Sequence, residues 1–283
     1  MKKPGLFSTA NGLFFTLLAV MMLYPMWHEL CLSFSSMEEA MRGGIFYLPR
    51  GFTAAAYDRV VHSQYLWLAY KNSIFITVVG TAVSVFLTAT TAYPLSKGEL
   101  PLRKVWMAYL LFTILFSGGI IPTYLLVKSL GLINSLWALI VPTAISAFNV
   151  IIMLSFFRTL PVELEDSAMM DGANLLRIFF SIAMPLSKPV LATVALWEAV
   201  GLWNNYLYAL FYLNDKSKYV LPILIKDVIR GQELAQQTGE LTGSSTESVI
   251  AATIVLAILP IVCVYPFLQK YFVKGTMIGS IKS

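Results

Sequence analysis

The sequence predicts an all-α, polytopic membrane protein with six transmembrane helices. Of its 283 residues, 58% are hydrophobic and only 12% are charged, whereas a typical soluble domain carries about 25% charged residues. Six apolar stretches each have about the 17–25 residues that a helix needs to cross a bilayer. Because backbone groups in hydrocarbon must be paired within their own segment, these stretches are predicted to be helices.

The predicted spans follow one another along the whole chain. In order, they cover residues 12–34, 72–96, 104–127, 136–157, 187–212 and 248–270. The first follows Lys2 and Lys3, but it is long and lacks a small-x-small cleavage pattern, so we expect a retained span and not a signal peptide. Residues 1–71 are predicted as an N-terminal segment with an outward loop, and residues 72–283 as a five-helix core.

Prolines and glycines inside the spans predict bent helices. Prolines that would break soluble helices are tolerated as kinks in membranes; they are Pro94, Pro122, Pro142 and Pro260. Gly118 and Gly119 shortly before Pro122 predict a bend in the third span. Close helix packing is the alternative explanation for the glycine pair.

Basic residues in the short loops predict the orientation. Lys97, Arg103 and Lys104 lie between spans two and three, whereas the next loop contains only Lys128. Because Lys and Arg accumulate in cytoplasmic loops, the first of these loops is predicted to be cytoplasmic. Both termini and the linker at 158–186 then lie in the cytoplasm, and the linkers at 35–71 and 213–247 face outward.

Several function classes are disfavoured by the composition. The net charge of +5 is explained by basic residues that flank the spans, so nucleic-acid binding is not expected. The cysteines Cys31 and Cys263 form no CxxC or Cys/His cluster, and neither a disulfide framework nor a metal site is predicted. The sequence contains no GxxxxGK[ST], HExxH or nucleophile-elbow motif, so the chain is not expected to hydrolyse ATP or to be a membrane enzyme.

The segment 163–189 between spans four and five is amphipathic. Acidic residues at 163, 165 and 166 follow Pro161, as suits the positive end of a helix. Asp171-Gly172 should end this helix, because glycine accepts positive φ. Residues 175–184 are predicted to form a second short helix ending at Pro185. The two helices and the turn between them predict a helix-turn-helix outside the bilayer to which another protein could bind.

This segment resembles the EAA loop of ABC-importer permeases, in which Glu-Ala-Ala, three residues, Gly and nine residues precede Ile-x-Leu-Pro. Gly172 matches the glycine, with Asp171 and Ala173 in the form usual for sugar permeases. The remaining matched positions are Asp166, Ser167, Ala168, Ile182, Met184 and Pro185. Asp166, Ser167 and Met184 depart from Glu, Ala and Leu, and the neighbouring Glu165 could share the acidic role.

The resemblance implies a type I, methionine-importer-like ABC importer fold in a bacterial cytoplasmic (inner) membrane. The loop would be a cytoplasmic coupling helix that docks on an ATPase subunit and supports ATP-driven alternating access. The implied partners are a second homologous permease, two ATPases and an extracellular or periplasmic solute-binding protein. ATP and Mg would be held by the ATPases, with no cofactor on this chain.

The whole chain further resembles the smaller permease of maltose-type and complex-polysaccharide-type importers, through residues 203–206 and the C-terminal YFVKGTMIGSIKS. This resemblance implies a carbohydrate substrate, with an oligosaccharide favoured, and a tail at 275–283 that reaches toward the ATPases. A non-sugar solute is the alternative; a secondary transporter is disfavoured because intramembrane charge is sparse and no repeat is visible.

Polar and aromatic residues in the spans are the candidates for contact with a sugar, which is bound by aromatic faces, amides and hydroxyl groups. Polar side chains within spans usually face the bundle interior or a water-filled cavity. The candidates are Asn149, Glu198, Trp203, Asn204, Asn205 and Tyr206. Hydrogen bonding between helices is the equally open alternative for each, and in maltose-type relatives the larger permease supplies most sugar contacts.

Overall fold

The computed structural model describes residues 6–238 and 247–276. Every regular element within these ranges is helical, which confirms the predicted all-α class. Lys2, Lys3 and most of the predicted ATPase-directed tail at 275–283 lie outside the described residues. The helices of the first half are α1 (Leu6–Ser33), α2 (Met37–Arg42), α3 (Ala55–Val61), α4 (Gln64–Ser96), α5 (Arg103–Leu115) and α6 (Ile120–Ser129).

The second half is also built from helices, several of them short. They are α7 (Trp137–Ile140), α8 (Ala147–Phe157), α9 (Val162–Met170), α10 (Leu175–Ile178), α11 (Met184–Leu186), α12 (Lys188–Trp203), α13 (Leu207–Tyr212), α14 (Leu221–Thr238) and α15 (Glu247–Thr276). Short 3₁₀ turns follow α7 at Val141–Thr143 and precede α14 at Lys216–Lys218. Breaks inside the fourth and fifth predicted spans give the short helices α7 and α13, whereas α9, α10 and α11 lie in the predicted linker at 158–186.

Within the described residues, two continuous helices are long and apolar enough to cross a membrane, at Phe7–Ser33 and Gln64–Ser96. Three further pairs are bent at a short break, and counting each pair as one span raises the number to five. The last helix, α15, contains 30 residues and coincides with the sixth predicted span, but its described side chains end at Cys263. The count of six spans therefore stays a prediction.

The third span is broken and not merely bent. Helices α5 and α6 lie at 114° to one another, and Gly119 takes a positive φ of 84° at the break. Pro122 falls in the first turn of α6, where its missing N–H removes no helical hydrogen bond. The predicted bend is confirmed in position, and the glycine conformation makes it far sharper than a proline kink. Pro94 and Pro260 lie inside α4 and α15 without ending either helix.

The predicted long linkers contain more helix than the sequence analysis indicated. Residues 35–71 include α2 and α3, and α4 already begins at Gln64. Residues 213–247 include α14, whose apolar residues Leu221, Leu224, Ile225, Val228 and Ile229 follow helical spacing. This pattern marks one face of an amphipathic helix. It was obscured because the polar run that follows made the whole linker resemble a loop.

The described residues form two compact units. One contains the described residues up to Trp67 together with Leu224–Ile261. Its small core contains Cys31, Leu32, Ala40, Phe46 and Ala251. The hydroxyl groups of Ser33 and Tyr57 lie 2.7 Å apart, which attaches α3 to the end of α1. The predicted division at residue 72 follows the order of spans and stays a prediction.

The other unit contains Leu68–Ile223 and the described residues from Val262. One of its cores surrounds Tyr93, Met153, Phe157 and Phe179, and a second surrounds Ile76, Leu139 and Tyr212. The amide of Asn72 donates to the carbonyls of Ser217 and Tyr219 at 3.0 and 2.9 Å. These bonds hold the segment after α13 against the start of α4.

Candidate functional sites

The segment between spans four and five forms the predicted helix-turn-helix, which we call the coupling element (residues 162–186). Helix α9 ends at Met170, and Gly172 has φ +81°. The amide of Ala173 donates to the carbonyl of Ala168 and that of Gly172 to Met169, at 2.9 and 3.0 Å. This is the pattern of a Schellman ending, in which glycine relieves the strain of the left-handed residue. The side chain of Asn174 then caps α10 by accepting from the amide of Arg177 at 2.8 Å.

The second half of the coupling element is longer than predicted. Helix α10 continues through a π-helical turn at Phe179–Ala183 into α11, so the helical chain passes Pro185 and ends at Leu186. The predicted end at Pro185 is wrong by one residue, because Pro185 is the second residue of α11 and the helical chain continues to Leu186. A bend of 79° then leads into α12. Single π turns of this kind occur often at functional sites.

The residues matched to the EAA pattern are distributed between the surface and the interior. Asp166, Ser167, Asp171 and Pro185 are exposed, whereas Ala168, Ala173, Ile182 and Met184 are half-buried. Large apolar side chains are also exposed on this element, including Met170 at 89% and Leu175 and Leu176 at 69%. An exposed apolar surface with an acidic border is typical of a protein-binding site.

Glu165, the alternative acidic contact, is turned inward. It is buried and forms an ion pair with Lys97, which follows α4. The ammonium group of Lys97 also lies over the ring of Tyr93, 4.7 Å from its centroid. Asp166 is therefore the exposed acid at the matched position, and Glu165 is occupied within the chain. Lys97 is 68 positions from Glu165, and its place in a basic loop is its one signal in the sequence.

A polar cavity forms where the fifth span breaks. Helix α12 ends at Trp203 and α13 begins at Leu207, so the chain is non-helical through Asn204–Tyr206. The cavity has a volume of about 310 Å³, which lies within the range of small-molecule sites. Its lining residues are Thr143, Glu198, Gly201, Leu202, Asn204, Asn205, Tyr206, Leu207 and Tyr208.

The fourth span is also broken beside this cavity. The helical segment Trp137–Thr143 and α8 are inclined by 54°, and Thr143 at this break lines the cavity. Irregular backbone at membrane depth is tolerated where it is buried in protein or lines a water-filled cavity. Two breaks that border one cavity therefore favour a solvated space within the predicted membrane region.

The predicted path residues separate into two groups. Glu198, Asn204, Asn205 and Tyr206 line the cavity. Trp203 is buried and is not among the lining residues, so the aromatic surface of the cavity comes from Tyr206 and from Tyr208. The sequence pattern could not separate these aromatic residues because the chain leaves the helix between them.

Asn149 and Glu198 form a hydrogen bond between spans four and five. Asn149 is buried, and its side-chain amide donates to Oε1 of Glu198. The hydroxyl of Ser84 lies near the same carboxyl group. This geometry supports helix–helix hydrogen bonding for Asn149. Glu198 both joins the two spans and lines the cavity.

The fold and these two sites define the class of protein. Residues 75–278 match the family described as "Binding-protein-dependent transport system inner membrane component". The match covers most of the chain, and the protein belongs to this family. It is a membrane permease subunit of an ABC transporter.

Individual relatives resemble almost the entire chain. The protein is 44% identical to "Protein LplC" of Bacillus subtilis (strain 168), over 99% of this chain and 96% of the relative. It is 42% identical to the "Polygalacturonan/rhamnogalacturonan transport system permease protein YtcP" of the same organism, over 95% of this chain and 96% of the relative. Among solved structures, one chain of a bacterial ABC transporter involved in the import of the acidic polysaccharide alginate superposes with a TM-score of 0.88. It shares 35% identity, over 96% of this chain and 98% of that chain.

Proposed function

We propose that this permease subunit imports an oligosaccharide by ATP-driven alternating access. The observation that carries the proposal is the coupling element, a rigid helix-turn-helix whose exposed face combines Asp166 with Met170, Leu175 and Leu176. Such a surface fits a cleft that offers basic and apolar groups. We assign this cleft to an ATPase subunit, which places the element and both termini in the cytoplasm.

The complete transporter then contains this chain, a second homologous permease, two ATPases and an extracellular solute-binding protein. ATP and Mg²⁺ bind to the ATPases, and this chain needs no cofactor of its own. The membrane segments supply a path that opens alternately to either side, since ATP-driven closure of the ATPases can move the permeases as rigid bodies.

The polar cavity is the proposed part of the sugar path on this chain. Amide groups of Asn204 and Asn205 can exchange hydrogen bonds with sugar hydroxyls, and the rings of Tyr206 and Tyr208 offer apolar faces. Together with the broken backbone, these groups suit a solute that is polar at its rim and apolar on its ring face.

The names of the relatives support an acidic oligosaccharide as the first candidate substrate. YtcP is named for polygalacturonan and rhamnogalacturonan, and the solved transporter is described as importing alginate. The described lining of the polar cavity contains Glu198 but no Lys, Arg or His. Recognition of the sugar carboxylates is therefore assigned to the solute-binding protein or the second permease, and this chain contacts hydroxyl groups.

The function is tested by uptake into proteoliposomes that contain the complete complex, with a panel of oligouronides and neutral oligosaccharides. We expect uptake to require ATP and the oligouronides to be preferred. Asp166→Lys is expected to abolish uptake and to weaken copurification of the ATPases, because it places a cation in a site that binds an anion. Uptake without ATP would indicate a secondary transporter.

The matched control for this charge reversal is Lys104→Glu. Lys104 is exposed near the start of α5, on the same predicted side of the membrane as Asp166, and is not among the residues that line the cavity beside Leu175 and Leu176. We expect it to retain uptake and ATPase binding. Equal behaviour of the two variants would contradict docking through Asp166.

A further inference from the structure

A polar contact attaches the inward face of α9 to the rest of its unit. Glu165 is the buried residue of α9, and its carboxylate is paired with the ammonium of Lys97. By contrast, α10 and the π turn contribute Ile178, Phe179 and Ala183 to the interior. The second half of the coupling element is thus held by apolar packing, and the first half by an ion pair.

Lys97 is well placed to hold this carboxylate. It directly follows the last residue of α4, where the carbonyl end of the helix favours a cation. Its ammonium lies 4.7 Å from the centroid of the Tyr93 ring, an arrangement that adds cation–π attraction. The side-chain exposures of Lys97 and Glu165 are 33% and 11%, so water screens the pair only in part.

The same pair connects α9 to the core of its unit. The ring of Tyr93 packs against those of Phe157 and Phe179, with centroids 5.4 and 5.1 Å apart. A cavity of about 420 Å³ lies beside Lys97 and is bordered by Tyr93, Leu175 and Phe179. Its described lining contains no residue of α9, so this space provides no apolar packing between α9 and the end of α4.

We propose that Lys97 is a positioning residue for coupling: through Glu165 it holds α9 at the end of α4, so that displacement of α9 moves the second span. The proposal rests on the proposed function, in which the coupling element docks on an ATPase. Lys97 itself does not contact the ATPase. Without the ion pair, α9 would still move with the ATPase, but this movement would not be transmitted to α4. ATP would then be hydrolysed without transport.

The test measures sugar transported per ATP hydrolysed, the melting temperature and copurified ATPase for complexes that carry Lys97→Met, Lys97→Arg or Glu165→Gln. Lys97→Met is expected to lower the transport ratio about tenfold, within the range found for residues that alter coupling, while the ATPases still copurify. Lys97→Arg keeps the charge and is expected to retain most coupling. Lys104→Met, at an exposed position in α5, is the matched control and is expected to behave as the unmodified protein.

A double variant separates positioning from stability. Lys97→Met with Glu165→Leu leaves no unpaired buried charge, so the melting temperature is expected to recover. If Lys97 positions α9, the transport ratio stays low in this variant. Recovery of the ratio together with stability would overturn the proposal and indicate a structural role alone.

The proposed function and this inference fail in different ways. Two results would contradict ATPase docking. One is uptake by the unmodified complex that does not require ATP, and the other is normal uptake by the Asp166→Lys complex. An ATP-dependent complex that is sensitive to Asp166→Lys but keeps its full transport ratio in Lys97→Met would contradict only the role of Lys97.

Discussion

Gly172 shows how one backbone conformation shapes the coupling element. Its φ of +81° places it in the left-handed region, and a Cβ there would meet no atom within 4 Å. The need for glycine is therefore conformational and not steric. For an L residue this conformation costs roughly 1–2 kcal/mol, and a β-branched side chain resists it most strongly.

We expect Gly172→Val to loosen the turn between α9 and α10 and to weaken ATPase copurification and coupled uptake. Gly98→Val is the matched control, because a Cβ at Gly98 also meets nothing within 4 Å and its φ is not positive. Copurification and uptake are measured on purified complexes. An equal effect of the two substitutions would show that the left-handed turn is not required.

Glu165 and Asp166 illustrate how neighbouring acids acquire different roles. Along a helix, adjacent residues project about 100° apart, so one side chain can face the interior while the next faces solvent. Glu165 meets Lys97 inside the protein, and Asp166 is exposed. The motif spacing identified Asp166, with Glu165 beside it as an alternative, but only the packing of α9 placed Glu165 in the interior and Asp166 at the surface.

At the scale of helices, spans two, four and five meet closely at Gly80. A Cβ built there would lie 2.7 Å from Cδ1 of Leu202 and 3.4 Å from Cγ1 of Ile140. Leu202 lies just before the break in the fifth span and is buried. The absence of a side chain at Gly80 thus allows the helices to approach beside the polar cavity.

We expect overpacking in Gly80→Ala to cost about 1–3 kcal/mol, of which the higher helix propensity of alanine offsets about 1 kcal/mol; the net loss is measured as a lower melting temperature than that of the control. Adding Leu202→Ala should relieve the contact, so the two effects will not add. Gly231→Ala in α14 is the control, since its Cβ would meet nothing within 4 Å. Additive losses in the double variant would contradict the proposed contact.

The break after α12 predicts different effects for adjacent residues. Trp203 is buried, so Trp203→Ala should lower stability by about 3–5 kcal/mol, as expected for removal of a large core side chain. Asn205 lines the cavity, so Asn205→Ala should reduce uptake several-fold without changing the melting temperature. Unchanged uptake by a normally assembled Asn205→Ala complex would remove this residue from the path.

At the scale of the whole molecule, the helices vary greatly in regularity. The first two predicted spans are continuous, the third and fourth coincide with bent pairs, and the fifth is interrupted between Trp203 and Leu207. In the fourth and fifth predicted spans, the interruptions border the polar cavity. Unbroken helices are sufficient for insertion into lipid, since every backbone N–H and C=O group within the span is then hydrogen-bonded. The broken spans therefore favour a solute path.

Two kinds of information in the sequence were sufficient to predict much of this protein. Long apolar stretches identified the membrane class, because the thickness of the bilayer imposes a length that is visible locally. The spacing from Asp166 through Gly172 to Pro185 located the coupling element, because a helix ending and its turn are encoded by adjacent residues. The apolar face of α14 is also encoded by residues that are close in sequence, and their helical spacing is sufficient to recognise it.

The tertiary structure alone decided which distant residues meet. Glu165 pairs with Lys97 across 68 positions, and Asn149 with Glu198 across 49. No local periodicity encodes such contacts, since they depend on how whole helices pack. The burial of Trp203 beside an exposed Asn204 likewise follows from where the helix breaks. The sequence by itself determined a membrane permease with a coupling element. The fold decided which of its polar residues hold helices together and which line the cavity or lie at the surface, because burial and pairing are properties of the packed chain.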